Sequence, residues 1–90
     1  MYLKNITIKT KASDKCKSRE RCYDSQVLEF DDQAIFFIMS KTQRDIQNED
    51  HFKLDDIASV TFNDHIYLVT NTATTSSKSK YPILYTTKIA

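Results

Sequence analysis

The chain has 90 residues, of which 40% are hydrophobic, and a formal net charge of +1. This length suits one small domain and excludes a second hydrophobic core. The sequence contains no glycine. That absence excludes phosphate-cradling loops, dinucleotide-binding loops and nucleophile elbows, because each needs glycine where the backbone takes positive φ or approaches a ligand closely.

Short runs of apolar, β-branched and aromatic residues recur along the chain, separated by polar residues. This pattern is typical of an antiparallel meander and not of long helices. We predict one domain, residues 1–90, with a mainly β fold (all-β or α+β), built as a small antiparallel meander or roll of about six or seven short strands. The predicted strands are Tyr2–Lys9, Gln26–Phe30, Ala34–Met39, Phe52–Leu54, Ile57–Phe62, Ile66–Thr70 and Tyr81–Ile89.

Two of these strands carry more specific expectations. Ala34–Met39 reads "AIFFIM" and is apolar on both faces, so it should be the central and most buried strand. Pro82 lies near the start of the last strand, where proline suits a strand entry or a sheet edge because it donates no ladder hydrogen bond. An edge strand here would let a partner or a second copy of the chain pair with it.

Residues 10–25 form a basic connecting segment whose conformation the sequence leaves open as helix, strand or loop. Its positive charges alternate along the chain, but as a strand its opposite face would be too polar to bury. An N-cap at Ser13 and an apolar stripe at near-helical spacing favour one short helix or helical turn around residues 13–24. The cations that this segment offers to nucleic acid or to an acidic partner are Lys9, Lys11, Lys15, Lys17, Arg19 and Arg21.

Residues 71–80 are rich in serine and threonine and should form a flexible loop between the last two strands. Its hydroxyl groups and two lysines are able to bind phosphate. A mobile hairpin tip is the simpler interpretation of the same composition.

Charge is unevenly distributed along the chain. Residues 1–28 carry seven positive and three negative side chains, whereas residues 29–64 carry three positive and nine negative ones. Such a chain either presents two oppositely charged surfaces or neutralises them internally. If the acidic residues lie on one rim, they would contact a basic partner, and the candidates are Asp31, Asp32, Asp45, Glu49, Asp50, Asp55 and Asp56.

Neither a metal nor a cofactor is expected. Cys16 and Cys22, with only His51 and His65 to complete a set, lack the short paired spacings of zinc sites. Whether the two cysteines are free or bonded stays open, although thiols are expected in a cytosolic protein. No catalytic residues are predicted, because the Asp-His pairs at 50–51 and 64–65 are adjacent in sequence and point apart.

The function predicted from these features is that of a small non-enzymatic binding protein, which acts by surface contact with a macromolecule. A protein is the expected partner, and a phage- or mobile-element-encoded inhibitor of a host complex for nucleic-acid handling or defence is the expected role. The alternative is a small nucleic-acid-binding β domain that uses the basic segment 9–21. Without an apolar span or signal peptide, we expect a cytoplasmic location, in the host cell if virus-encoded, no membrane contact, and a homodimer as a further option.

Overall fold

A computed structural model of the protein describes residues 2–15 and 17–89. Six antiparallel strands close into a barrel in the order β1-β2-β3-β6-β5-β4, with β4 pairing back onto β1. The prediction of a mainly β antiparallel fold is confirmed. The strands are β1 (Lys4–Thr10), β2 (Glu20–Glu29), β3 (Gln33–Ile38), β4 (Ile57–Phe62), β5 (His65–Thr74) and β6 (Pro82–Lys88).

The interior of the barrel is filled by the alternate residues of each strand, as the period of a β-strand requires. Phe36 lies at the centre and makes edge-to-face contacts with Phe62 and Tyr67, at ring centroid distances of 5.8 and 5.3 Å. Such pairs contribute about 0.5–1.5 kcal/mol each beyond the area they bury. The other fully buried strand residues include Ile6, Ile8, Ile38, Val60 and Leu84.

The connection between β3 and β4 contains the short helix of the fold, at residues 43–50 and not around 13–24. One α-helical turn, Gln43–Asp45, continues as a π-helical turn, Ile46–Asp50. Thr42 caps the start, because its Oγ1 accepts a hydrogen bond from the Asp45 backbone N at 3.1 Å. His51 ends it in the left-handed region with φ of 62°. We name residues 43–50 the helical segment.

The segment expected to be helical is instead a connection followed by strand. The backbone N of Arg19 donates to Thr10 Oγ1 at 2.8 Å, and Glu20 already pairs with Lys9. These bonds to β1 extend β2 into the basic segment, so β2 begins at Glu20, six residues before the predicted Gln26. The helix prediction for residues 13–24 was wrong, since ladder bonds to β1 outweigh the weak helical stripe.

The predicted strand Phe52–Leu54 is also wrong. Phe52 and Leu54 are buried and contribute to the core from an irregular connection. Leu54 then begins a 3₁₀ turn, Leu54–Asp56, in which the Asp56 side chain accepts a hydrogen bond from the Lys53 backbone N at 3.0 Å. Three alternating residues matched a strand pattern because two of them point into the core.

The last strand is not an edge. β6 pairs with β3 on one side and with β5 on the other, and Pro82 occupies its first position. Closure of the barrel removes every sheet edge, so pairing of a second copy through this strand, as predicted, is excluded in the folded state. Residues 71–74, predicted as loop, belong to β5, and the β5–β6 loop is confined to residues 75–81.

Candidate functional site

The barrel has two chemically different ends. The long connections, residues 11–15 with 17–19, residues 39–56 and residues 75–81, lie at one end, which we name the loop end. The opposite turn end carries two tight turns, at residues 30–32 and 63–64. Asn63 and Asp64 both have positive φ, 55° and 65°, so this glycine-free chain uses Asn and Asp in its two-residue hairpin turn.

The six predicted cations of the basic segment separate into two groups. Lys9, Lys11, Lys15 and Lys17 are exposed. Arg19 instead binds the end of the helical segment, where its guanidinium donates to the carbonyl oxygens of Asp50 and His51 at 3.1 and 2.8 Å.

The second arginine, Arg21, faces the same side of β2 as the buried Tyr23, and its Nε lies 3.7 Å from an Asp50 carboxylate oxygen. Arg19 also stacks over Phe52 at 5.7 Å from the ring centroid. Arg19 therefore joins two loop-end connections, and Arg21 joins β2 to the helical segment, which sets both arginines apart from the exposed lysines.

Asp50 is the centre of a satisfied polar cluster under the loop end. The residue is 8% exposed, and its carboxylate accepts a hydrogen bond from the Tyr23 hydroxyl. Lys41 Nζ lies 3.2 and 3.1 Å from the two carboxylate oxygens and also reaches Glu49 at 3.4 Å. Because each charged group has a partner, the cluster holds β2 against the helical segment.

The titration of this cluster follows its geometry. Burial alone raises the pKa of Asp50, but the hydrogen bonds from Tyr23 and Lys41 outweigh burial and hold that pKa below its ordinary value. Burial and then the Asp50 hydrogen bond raise the pKa of the Tyr23 hydroxyl far above its ordinary value. The hydrogen bond to Asp50 also raises the pKa of Lys41. At neutral pH the cluster therefore contains a carboxylate, an ammonium group and a neutral phenol.

The seven predicted acidic residues do not share one rim. Asp31 and Asp32 lie in a turn-end loop, whereas the other five lie in the β3–β4 connection at the loop end. Three of those five have internal roles: Asp45 and Asp56 cap helical turns, and Asp50 is buried. Asp55 accepts a hydrogen bond from the Thr72 hydroxyl at 3.2 Å, and Glu49 pairs with Lys41.

An apolar patch on the outside of the barrel was not predicted from the sequence. Two rows of cross-strand neighbours run over β2, β3 and β6. They are Leu28, Ile35 and Tyr85 in one row and Gln26, Phe37 and Ile83 in the other. We name these six residues the outer face. Leu28 is 49% exposed and Tyr85 37% exposed, and every residue of the face except Gln26 is apolar. The outside of β1 instead presents Asn5, Thr7 and Lys9. β5 exposes a second apolar pair, Ile66 at 40% and Leu68 at 45%.

The run "AIFFIM" contained the signal for this face. Its inner residues, Ala34, Phe36 and Ile38, are fully buried, as expected for the most buried strand. Ile35 and Phe37 are only partly buried, because the barrel is a single layer and no other element within residues 2–15 and 17–89 covers its outside. Residues that are apolar on both faces of a strand thus mark an uncovered surface here and not a central position in a sheet.

Comparisons with known proteins identify no relative. Neither a protein-family model, nor a curated protein, nor a solved structure matches the chain.

The described residues offer neither a metal site nor a membrane-spanning helix. Within residues 2–15 and 17–89, no cluster of three or more His, Cys, Asp or Glu side chains is arranged to hold a metal ion. None of the helices in the same ranges has the length and apolar character needed to cross a membrane.

Cys22 is an exposed free thiol whose Sγ lies 3.5 Å from Thr7 Oγ1. Cys16, for which a disulfide or metal role was considered, lies outside the described residues.

Proposed function

We propose that the protein is a non-enzymatic binding protein that contacts a protein partner through the outer face. The observation that carries this proposal is the set of apolar side chains from three adjacent strands, which form one contiguous surface. Contiguous exposed apolar patches on small proteins mark interaction sites more often than isolated apolar residues do.

Charge at the margins of the outer face indicates the chemistry of the partner. Among the described residues of β2, β3 and β6, no Lys or Arg alternates outward with the outer-face residues. Asp24 lies on the same side of β2 at one margin, and the Asp31–Asp32 turn lies at the other. A partner with an apolar centre and a cationic border would complement this surface.

The polar cluster at Asp50 supports a structural role and not a catalytic one. Its carboxylate accepts hydrogen bonds from Tyr23 and Lys41, and these bonds lower the pKa of Asp50 and so weaken it as a general base. The inhibitor role predicted from the sequence is compatible with a surface that covers part of a host complex, and identification of the partner would decide it.

Site-specific photo-crosslinking tests the proposal. A photoreactive amino acid placed at Leu28 or Tyr85 should give a discrete adduct with a protein in the native host, and nuclease treatment should not change the adduct. The same group at Thr7, on the outside of β1 between Cys22 and Thr61, is the matched control and should give no such adduct. An adduct of equal yield at Thr7, or loss of the Leu28 adduct on nuclease treatment, would contradict the proposal.

An Ile35→Lys variant provides a second measurement. This substitution places a charge at the centre of the outer face, where Ile35 pairs with Leu28 and Tyr85. We expect it to lower the yield of the Leu28 adduct at least tenfold while the far-UV circular dichroism spectrum stays that of a folded barrel. An unchanged yield would place the contact elsewhere.

A further inference from the structure

A groove lined with basic residues lies at the loop end, between the start of the helical segment and the β5–β6 loop. It has a volume of about 300 Å³. Its lining combines three cations with hydroxyl and amide groups: Thr42, Gln43, Arg44, Lys78, Ser79 and Lys80. No carboxylate and no aromatic ring belongs to this lining. The groove is distinct from the outer face and from the basic segment 9–21.

Hydrogen bonds hold the two walls of the groove in register. The Gln43 backbone N donates to the Lys80 carbonyl oxygen at 2.8 Å, which links the helical segment to the loop. Within the loop, the hydroxyls of Thr75 and Ser77 both donate to the Ser79 carbonyl oxygen, at 3.1 and 2.6 Å. The serines and threonines that predicted a mobile tip therefore organise the loop that carries Lys78 and Lys80.

The cations of the groove differ from those of the Asp50 cluster in having no acidic partner. Arg44, Lys78 and Lys80 are exposed, and among the described residues none of them has a carboxylate oxygen within 4.0 Å. Asp45, the acidic residue next to Arg44, is engaged with the backbone N of Thr42. Three positive charges thus converge on one concave surface without internal neutralisation.

We infer that this groove binds the phosphate groups of a single-stranded nucleic acid. Arginine recognises phosphate through paired donors, and lysine contributes point charges, so this set of residues suits phosphate oxygens. The groove is open, and both of its walls contribute cations, so it suits more than one phosphate of a polymer. Because no ring in the lining is available for base stacking, binding depends on the backbone and is insensitive to sequence.

The inference moves the nucleic-acid contact away from the segment predicted from the sequence. It is independent of the proposed function, since it shares no residue with the outer face. Failure of one therefore leaves the other standing.

A salt-dependent titration tests the inference. Fluorescence anisotropy with labelled oligo(dT) and oligo(U) would compare the wild-type chain with a triple variant, Arg44→Gln, Lys78→Gln and Lys80→Gln. We expect at least a tenfold loss of affinity at low salt. The slope of log affinity against log salt should fall in magnitude by about 2, since each single-strand phosphate contact contributes about 0.7.

The matched control is a second triple variant with the same change of charge, Lys11→Gln, Lys15→Gln and Lys17→Gln. It should bind within threefold of the wild-type chain. An equal or larger loss in the control would overturn the inference and restore the basic segment as the contact.

Small phosphate probes distinguish the source of the phosphate. If tripolyphosphate shifts the NMR amide resonances of residues 42–44 and 78–80 while the oligonucleotides do not bind, the inference of a polymeric ligand is overturned. The groove is then assigned to a small phosphate compound. Absence of binding to the oligonucleotides and to tripolyphosphate at low salt would overturn the site altogether.

Discussion

Replacement of Asp50 by alanine should destabilise the barrel strongly, because it removes the group that Tyr23, Lys41 and Arg21 share. The buried Tyr23 hydroxyl loses a charge-assisted hydrogen bond, for which the cost is about 1.5–3 kcal/mol. The side chains of Lys41 and Arg21 are 29% and 40% exposed and can return to water, so each adds only about 0–1 kcal/mol. The expected loss in the free energy of unfolding is therefore about 1.5–5 kcal/mol, against a total of about 5–13 kcal/mol for a chain of this length.

Urea denaturation at pH 7, followed by far-UV circular dichroism, measures this loss. Glu49→Ala is the matched control, since Glu49 is the exposed neighbour that pairs with Lys41, and it should cost less than about 1 kcal/mol. A double-mutant cycle with Tyr23→Phe should give a coupling free energy of about 1–2 kcal/mol. If Asp50→Ala and Glu49→Ala unfold at the same urea concentration, the cluster is not what holds β2 to the helical segment.

Three further outcomes follow from the fold. The pKa of Asp50 is lowered on folding, so the stabilisation from its carboxylate is present above the ordinary value of 3.8 and is lost as the pH falls through the folded-state pKa. Asp50→Asn should therefore flatten the acid limb of the curve of unfolding free energy against pH between pH 5 and 2. An acid limb parallel to that of the wild-type chain would contradict this assignment. Phe36→Ala should cost about 3–5 kcal/mol and lower the Tm by more than about 10 °C in calorimetry, whereas a drop of two or three degrees would mean that the cavity collapses. Because residue 64 has positive φ, Asp64→Val should lower the free energy of unfolding in urea by about 1–2 kcal/mol, while Asp64→Gly should leave it unchanged. Equal stability of the two variants would refute the turn geometry.

The sequence predicted the local β structure well where alternation was strong. β4 has the predicted bounds, Ile57–Phe62, and β3 and β6 are each within a residue or two of prediction. The first half of β2 was missed because its inner row carries Arg21 and Ser25 beside a single aromatic residue, Tyr23, and so does not resemble a buried face. Arg21 pairs with the carboxylate of Asp50, which is distant in sequence.

Closure of the barrel and the candidate sites depend on non-local pairing, which no local pattern encodes. The groove requires Arg44 from one connection to meet Lys78 and Lys80 from another, more than 30 residues later in the sequence. The outer face requires a register that aligns Leu28, Ile35 and Tyr85. Composition indicated the right kinds of residue. The position of Asp50 in the fold then determines which cations pair with its carboxylate and which do not.

The place of β6 in the barrel also bears on how the chain folds as it is synthesised. β6 is the last of the six strands to leave the ribosome, yet it inserts between β3 and β5, pairing Thr87 with Gln33. Until it does, both neighbours expose an unpaired backbone edge of the kind that templates self-association. A chain that terminates before Pro82 would therefore leave the facing edges of β3 and β5 unpaired and open to self-association.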